Sequence, residues 1–108
     1  MDGEPLAVPE TVNVLGIEYR VIYCDNPADV DVYKRKSLWG QIDPWTRTIR
    51  IYRNGRPVHD LWYTLMHEII HALAAELHIK ILEDAEDETD LLAMGLTDLL
   101  VRNGWLRI

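Results

Sequence analysis

Five residues in the middle of the chain carry the pattern most able to do chemistry: His67-Glu68-Ile69-Ile70-His71. Residues four apart lie on one face of an α-helix, so two imidazoles spaced this way reach one metal ion. A carboxylate next to the first histidine sits where a base would take a proton from a metal-activated water. The chemistry this spacing predicts is hydrolysis at a divalent metal, with His67 and His71 as ligands and Glu68 as the general base.

The pattern needs a helix, and the surrounding run Asp60–His78 (DLWYTLMHEIIHALAAELH) supplies one. At about 100° per residue, with His67 at the origin, His71 falls near 40°, Thr64 near 60°, Ala75 near 80° and Glu68 near 100°. Trp62, Met66, Ile69, Ile70, Leu73 and Leu77 fall between roughly 200° and 300°, which predicts a greasy face for the core. The opposite edge combines two imidazoles, one carboxylate and small residues that leave room for a cleft.

A hydrolytic zinc site takes three protein ligands and keeps a fourth position for water. A third histidine after a glycine turn is one solution, but Ala74 and Leu77 occupy those positions here. His78 lies about 10 Å along the helix axis from His71, too far to share an ion. The other candidates are Asp84, Glu86, Asp87, Glu88 and Asp90, at the start of a second helix expected over 84–102. With Glu88 at the origin, Leu92, Leu96 and Leu99 fall within about 80° of it, whereas Glu86 falls near 160° and Asp90 near 200°. Glu88 therefore lies on the apolar stripe expected to face inward, and burial favours a carboxylate that holds a metal. Glu88 is therefore the expected third ligand, with Asp84 as the fallback.

The elements around these helices read as a small sheet. Thr11–Tyr23 alternates apolar and polar residues, with a break at Gly16. Pro27–Lys36 suits a short helix, and Val30, Val32 and Tyr33 suit a strand equally. Leu38–Ile42 and Arg47–Arg53 flank Asp43-Pro44-Trp45-Thr46, a turn sequence, and predict a β-hairpin. The second hairpin strand alternates Ile49 and Ile51 with Arg50 and Tyr52. That strand is expected to form the rim of the cleft, with Arg50 and Tyr52 touching an extended substrate. Tyr52 and Tyr63 are weak candidates for stabilising an oxyanion. Asn103-Gly104 ends the second helix, and residues 1–10, with Pro5 and Pro9, read as a flexible arm.

Composition bounds the rest. A chain of 108 residues, 48% hydrophobic, is enough for one domain spanning 1–108. The single cysteine, Cys24, excludes an intrachain disulfide and a cysteine-based zinc site. The N-terminus lacks the charge and apolar pattern of a signal peptide, and no apolar run is long enough to span a bilayer, so the expectation is a cytoplasmic protein without a membrane partner. A net charge of −7 argues against nucleic-acid binding. The charge is uneven: seven basic residues and one acid lie between Lys34 and Arg56, and six acids and no base between Glu83 and Asp90. The first run suggests a basic rim beside the cleft.

The pattern H-E-x-x-H followed by a glutamate on the next helix resembles the gluzincin metallopeptidases. WGQID and TIRIY before MHEIIHAL, with EDETDLLAMGL after it, look like the minimal single-domain gluzincins and the ImmA/IrrE-like peptidases of bacteria and their phages. In the latter the downstream pattern is roughly Glu, a small residue, Asn, any residue, a hydrophobic residue and Ala. Here Glu88 and Ala93 match, and Asp90 stands in place of Asn. The resemblance covers about residues 38–104. It implies an α+β, zincin-like domain: a short, twisted, three- to four-stranded sheet with an active-site helix and a C-terminal glutamate helix. It also implies one Zn²⁺ and a peptide or protein substrate. Two alternatives belong to other classes. One is a metal-binding domain that is latent or inactive and acts as a regulatory protein-binding module, with the tail carrying Trp105 and Leu106 as a candidate for filling the cleft. The other is a regulatory protein whose basic rim binds an acidic or DNA-bound target. Two histidines and a carboxylate also suit Fe(II), but the glutamate within the motif favours hydrolysis.

Overall fold

The computed structural model describes residues 8–31, 39–80 and 85–108. Strands β1 (Thr11–Val14), β2 (Ile17–Cys24), β3 (Gly40–Asp43) and β4 (Thr48–Tyr52) form one sheet in the order β1-β2-β4-β3. β1–β2 and β3–β4 are antiparallel, and β2–β4 is parallel. Two helices follow, α1 (Val58–Leu77) and α2 (Glu86–Arg102). This is an α+β arrangement, as the sequence predicts.

The break at Gly16 is a tight hairpin. Leu15 and Gly16 both have positive φ (54° and 85°), and the Asn13 side chain accepts a hydrogen bond from the Gly16 N–H at 2.7 Å. Such two-residue turns match the natural twist of the strands they join. The second hairpin also forms as expected: Asp43 accepts from the Trp45 N–H and from the Thr46 hydroxyl, both at 3.0 Å. A 3₁₀ turn covers Pro27–Asp29. Residues 32–36 of the short helix expected there, which include the basic Lys34–Lys36, residues 1–7 of the expected arm and the fallback ligand Asp84 lie outside the described residues.

The core lies between the sheet and α1. Val14, Tyr19, Val21, Ile49 and Ile51 from the strands meet Leu61, Leu65 and Ala72 of α1. The buried face of α1 is thus turned from the expected one. Leu65, Ala72 and Ala74 are fully buried, and Leu77 is 53% exposed. His78 then stops the helix in a left-handed conformation (φ 57°, ψ 41°), and the Ile79 N–H caps the Ala74 carbonyl at 2.8 Å. One polar network crosses this layer. The buried Tyr19 hydroxyl donates to Glu76 Oε1 at 2.8 Å, and Arg47 Nε pairs with the same oxygen at 3.2 Å.

α2 lies on the other side of α1 and packs against that helix. Its buried residues are Thr89, Ala93 and Thr97, a stripe of small side chains at four-residue spacing. Leu91, Leu92, Leu96 and Leu99 are all exposed. The expectation that the leucines face inward is therefore corrected. Small residues allow two helices to approach closely, and here that advantage decides which face is covered.

The network around Tyr19 makes a direct test of the sheet–helix junction. Tyr19→Phe removes one hydrogen bond to a charged acceptor and leaves Arg47 in place. It should cost about 1.5–3 kcal/mol, read as a lower urea midpoint with an unchanged slope.

Candidate metal centre

The two motif histidines sit at mid-helix on α1, on the side facing α2. Their side chains are about nine-tenths buried, and they meet a carboxylate from the first turn of α2. That carboxylate is Glu86. Its Oε2 lies 2.8 Å from His67 Nε2, and its Oε1 lies 3.1 Å from His71 Nε2. The two Nε2 atoms are 3.1 Å apart. Donor atoms arranged tetrahedrally around an ion at about 2.05 Å are about 3.3 Å from one another, so the three groups already stand near the edges of a coordination tetrahedron. His67, His71 and Glu86 are a group able to hold a metal ion.

Glu88, the carboxylate the sequence favours, is exposed on the far side of α2. The correction follows from the helix rotation: once Thr89, Ala93 and Thr97 form the inner stripe, Glu86 falls in line with them and Glu88 falls about 160° away. Asp90, one turn after Glu86, comes to the same side. Its Oδ1 lies 3.1 Å from His67 Nδ1. A carboxylate can only accept, so a proton on Nδ1 makes this contact a hydrogen bond, and in that tautomer the Nε2 lone pair faces the centre. Glu86 and Asp90 are the pair that reading for apolar faces missed. The signal that would have found them is the spacing itself: two carboxylates four residues apart, aligned with a run of small residues.

Glu68 is 7% exposed and lines the same cleft as His67 and Glu86. Burial is the largest influence on its carboxyl group, raising its pKa from the ordinary carboxylate range to about 7. The nearby His67 opposes this, and the acidic Glu86 and Asp90 add to it. The cleft, of about 280 Å³, is closed on one side by Trp39 and Gly40. Gly40 is required there, because a Cβ would stand 2.6 Å from Thr64 Cγ2 and 3.1 Å from Glu68 Oε2. The missing side chain lets β3 lie directly on α1 beside Glu68.

β3 is an outer strand of the sheet, and β4 lies between it and β2. The rim of the cleft is therefore β3, and the expectation that β4 forms it is corrected. Arg50, on β4, donates to the Asp29 carbonyl at 3.4 Å and lines neither this cleft nor the one beside it. The Tyr52 ring packs on Trp39, with centroids 5.8 Å apart. Tyr63 lines a neighbouring cavity of about 520 Å³, which shares Trp39, Thr64 and Asp90 with the first. Between them Arg56 acts as a clamp. It donates to the Tyr52 carbonyl at 2.7 Å and to the Thr64 hydroxyl at 2.5 Å, and its guanidinium lies 4.5 Å from the Trp39 ring centre. Arg47 pairs with Glu76 and Arg53 with Asp25. All four described arginines of the basic run thus have partners within the fold. The tail does not fill the cleft either: the N–H groups of Trp105 and Leu106 bond back to the Leu100 carbonyl, and Trp105 is 71% exposed.

Zinc titration of single variants separates the two glutamates. Glu86→Ala should lose tight binding, whereas Glu88→Ala should bind as the parent does. Asp90→Ala should keep one ion per chain with about 10- to 100-fold weaker affinity, through the freed His67 ring. Among the described residues no helix is long and apolar enough to cross a membrane. Comparison with protein families, with curated proteins and with solved structures finds no match to this chain.

Proposed function

We propose that this chain is a zincin-like, gluzincin-type metallopeptidase that hydrolyses peptide bonds with one Zn²⁺ ion. The observation that carries the reading is the convergence of His67, His71 and Glu86 within 4.8 Å, with the buried Glu68 carboxylate facing the same cleft. The donor chemistry fits: two imidazoles and one carboxylate from two rigid helices, with one imidazole oriented by Asp90. A zinc ion in such a site supplies Lewis acidity, acidifying water and polarising a carbonyl.

The protein's own groups do the rest. Glu68 holds a proton with an affinity near neutrality, so it accepts one from water and returns one to a departing amine at ordinary pH. Its burial keeps bulk water from competing for that proton. β3 offers a backbone edge beside Glu68, and an extended peptide pairs with such an edge through main-chain hydrogen bonds. Trp39 walls the cleft next to that edge, and Arg56 fixes Trp39 by stacking on it.

Glu68→Gln is the direct test. The variant should bind zinc as the parent does and lose about 10²- to 10⁴-fold in turnover of an unstructured peptide, measured by fluorescence release. A parent protein that binds zinc yet cleaves no member of a diverse peptide library, or a variant that cleaves at the parent rate, removes the proposal.

A further inference from the structure

Outside the metal site, the feature without a role is the outer face of α2. Seen along its axis with Gly95 at the origin, Leu91 and Leu99 lie about 40° to either side, and Glu88 and Arg102 about 20° to either side. Leu91 is 71% exposed, Leu92 48% and Leu99 46%. A helix normally covers its large apolar residues, so a face of this kind marks a contact surface.

The order of residues on this face identifies the occupant. Glu88 stands seven residues before Gly95 and Arg102 seven after; Leu91 stands four before and Leu99 four after. Turned end for end about Gly95, the face places leucine on leucine and acid on base. A surface that complements itself in this way is what a two-fold symmetric dimer requires. Gly95 is the pivot. An added Cβ there would meet nothing within 4 Å, so nothing among the described residues calls for glycine. At an exposed mid-helix position glycine costs about 0.5–1 kcal/mol relative to alanine. It does allow two helix backbones to cross closely. Arg102 Nε donates to both oxygens of Asp98, at 2.9 and 2.8 Å, and a guanidinium has further N–H donors for a second carboxylate. A lipid surface fits less well, because Asp87, Glu88 and Asp98 lie along the helix and the chain carries a net charge of −7.

We propose that the outer face of α2 binds a second copy of this chain in an antiparallel, two-fold pair centred on Gly95, with Glu88 of each copy facing Arg102 of the other. Glu86 lies on the opposite side of the helix, so the metal cleft of each copy stays open. Sedimentation of the full chain at about 100 µM should show a dimer. Leu91→Asp, at an exposed position that leaves the monomer fold intact, should give a monomer. Glu88→Arg alone and Arg102→Glu alone each oppose like charges twice in the dimer, and each should weaken association about tenfold or more. The double swap Glu88→Arg with Arg102→Glu should restore it. A monomeric parent overturns the proposal, as does flotation of that monomer with phospholipid vesicles. A dimer indifferent to Leu91→Asp, or a double swap no better than its single members, overturns it equally.

Discussion

Two nearly buried imidazoles on α1 must find polar partners, and among the described residues α2 brings Glu86 and Asp90 to them. That requirement sets the distance and rotation of the two helices. Glu86 bridges both Nε2 atoms and Asp90 takes the remaining nitrogen of His67. For both carboxylates to arrive, the turns that follow must lie flat on α1, which is why the contact is made by Thr89, Ala93 and Thr97 rather than by leucines. Polar satisfaction at one end of the interface and close packing along the rest are the same constraint.

A second close approach sets the other wall of the site. β3 reaches Glu68 only because Gly40 has no side chain. The carboxylate is enclosed by strand and helix together, and its raised proton affinity follows from that enclosure. Arg56 holds the remaining margin by tying the turn before α1 to Thr64 and Trp39. The site is thus built where three elements meet, with β3 close against α1 at Gly40 and α2 packed on α1 through the Thr89–Thr97 stripe.

Much of this was legible in the chain. The helix carrying His67, Glu68 and His71, the hairpin of β3 and β4, the break at Gly16, and the need for a ligand from a second helix follow from periodicity and turn chemistry. The choice of Glu88 over Glu86 failed for a definite reason. It assumed that leucines mark the inward face, and in α2 they mark the outward one. Apolar periodicity marks an apolar face of a helix, not which neighbour lies against it. The place of β3 at the rim was equally hidden: β2 and β4 pair in parallel, a long-range choice that no local pattern encodes. Gly40 has no signature of its own in sequence, since its role depends on what lies across the cleft.

The Thr-Ala-Thr seam also bears on energetics. Side chains this small bury little apolar area, so hydrophobic contact contributes modestly to holding α2 in place. Much of the helix's attachment then resides in the polar cluster at its first turn. An ion bound by His67, His71 and Glu86 would add its binding free energy to that attachment, coupling the local opening of α2 to the free concentration of metal around the protein.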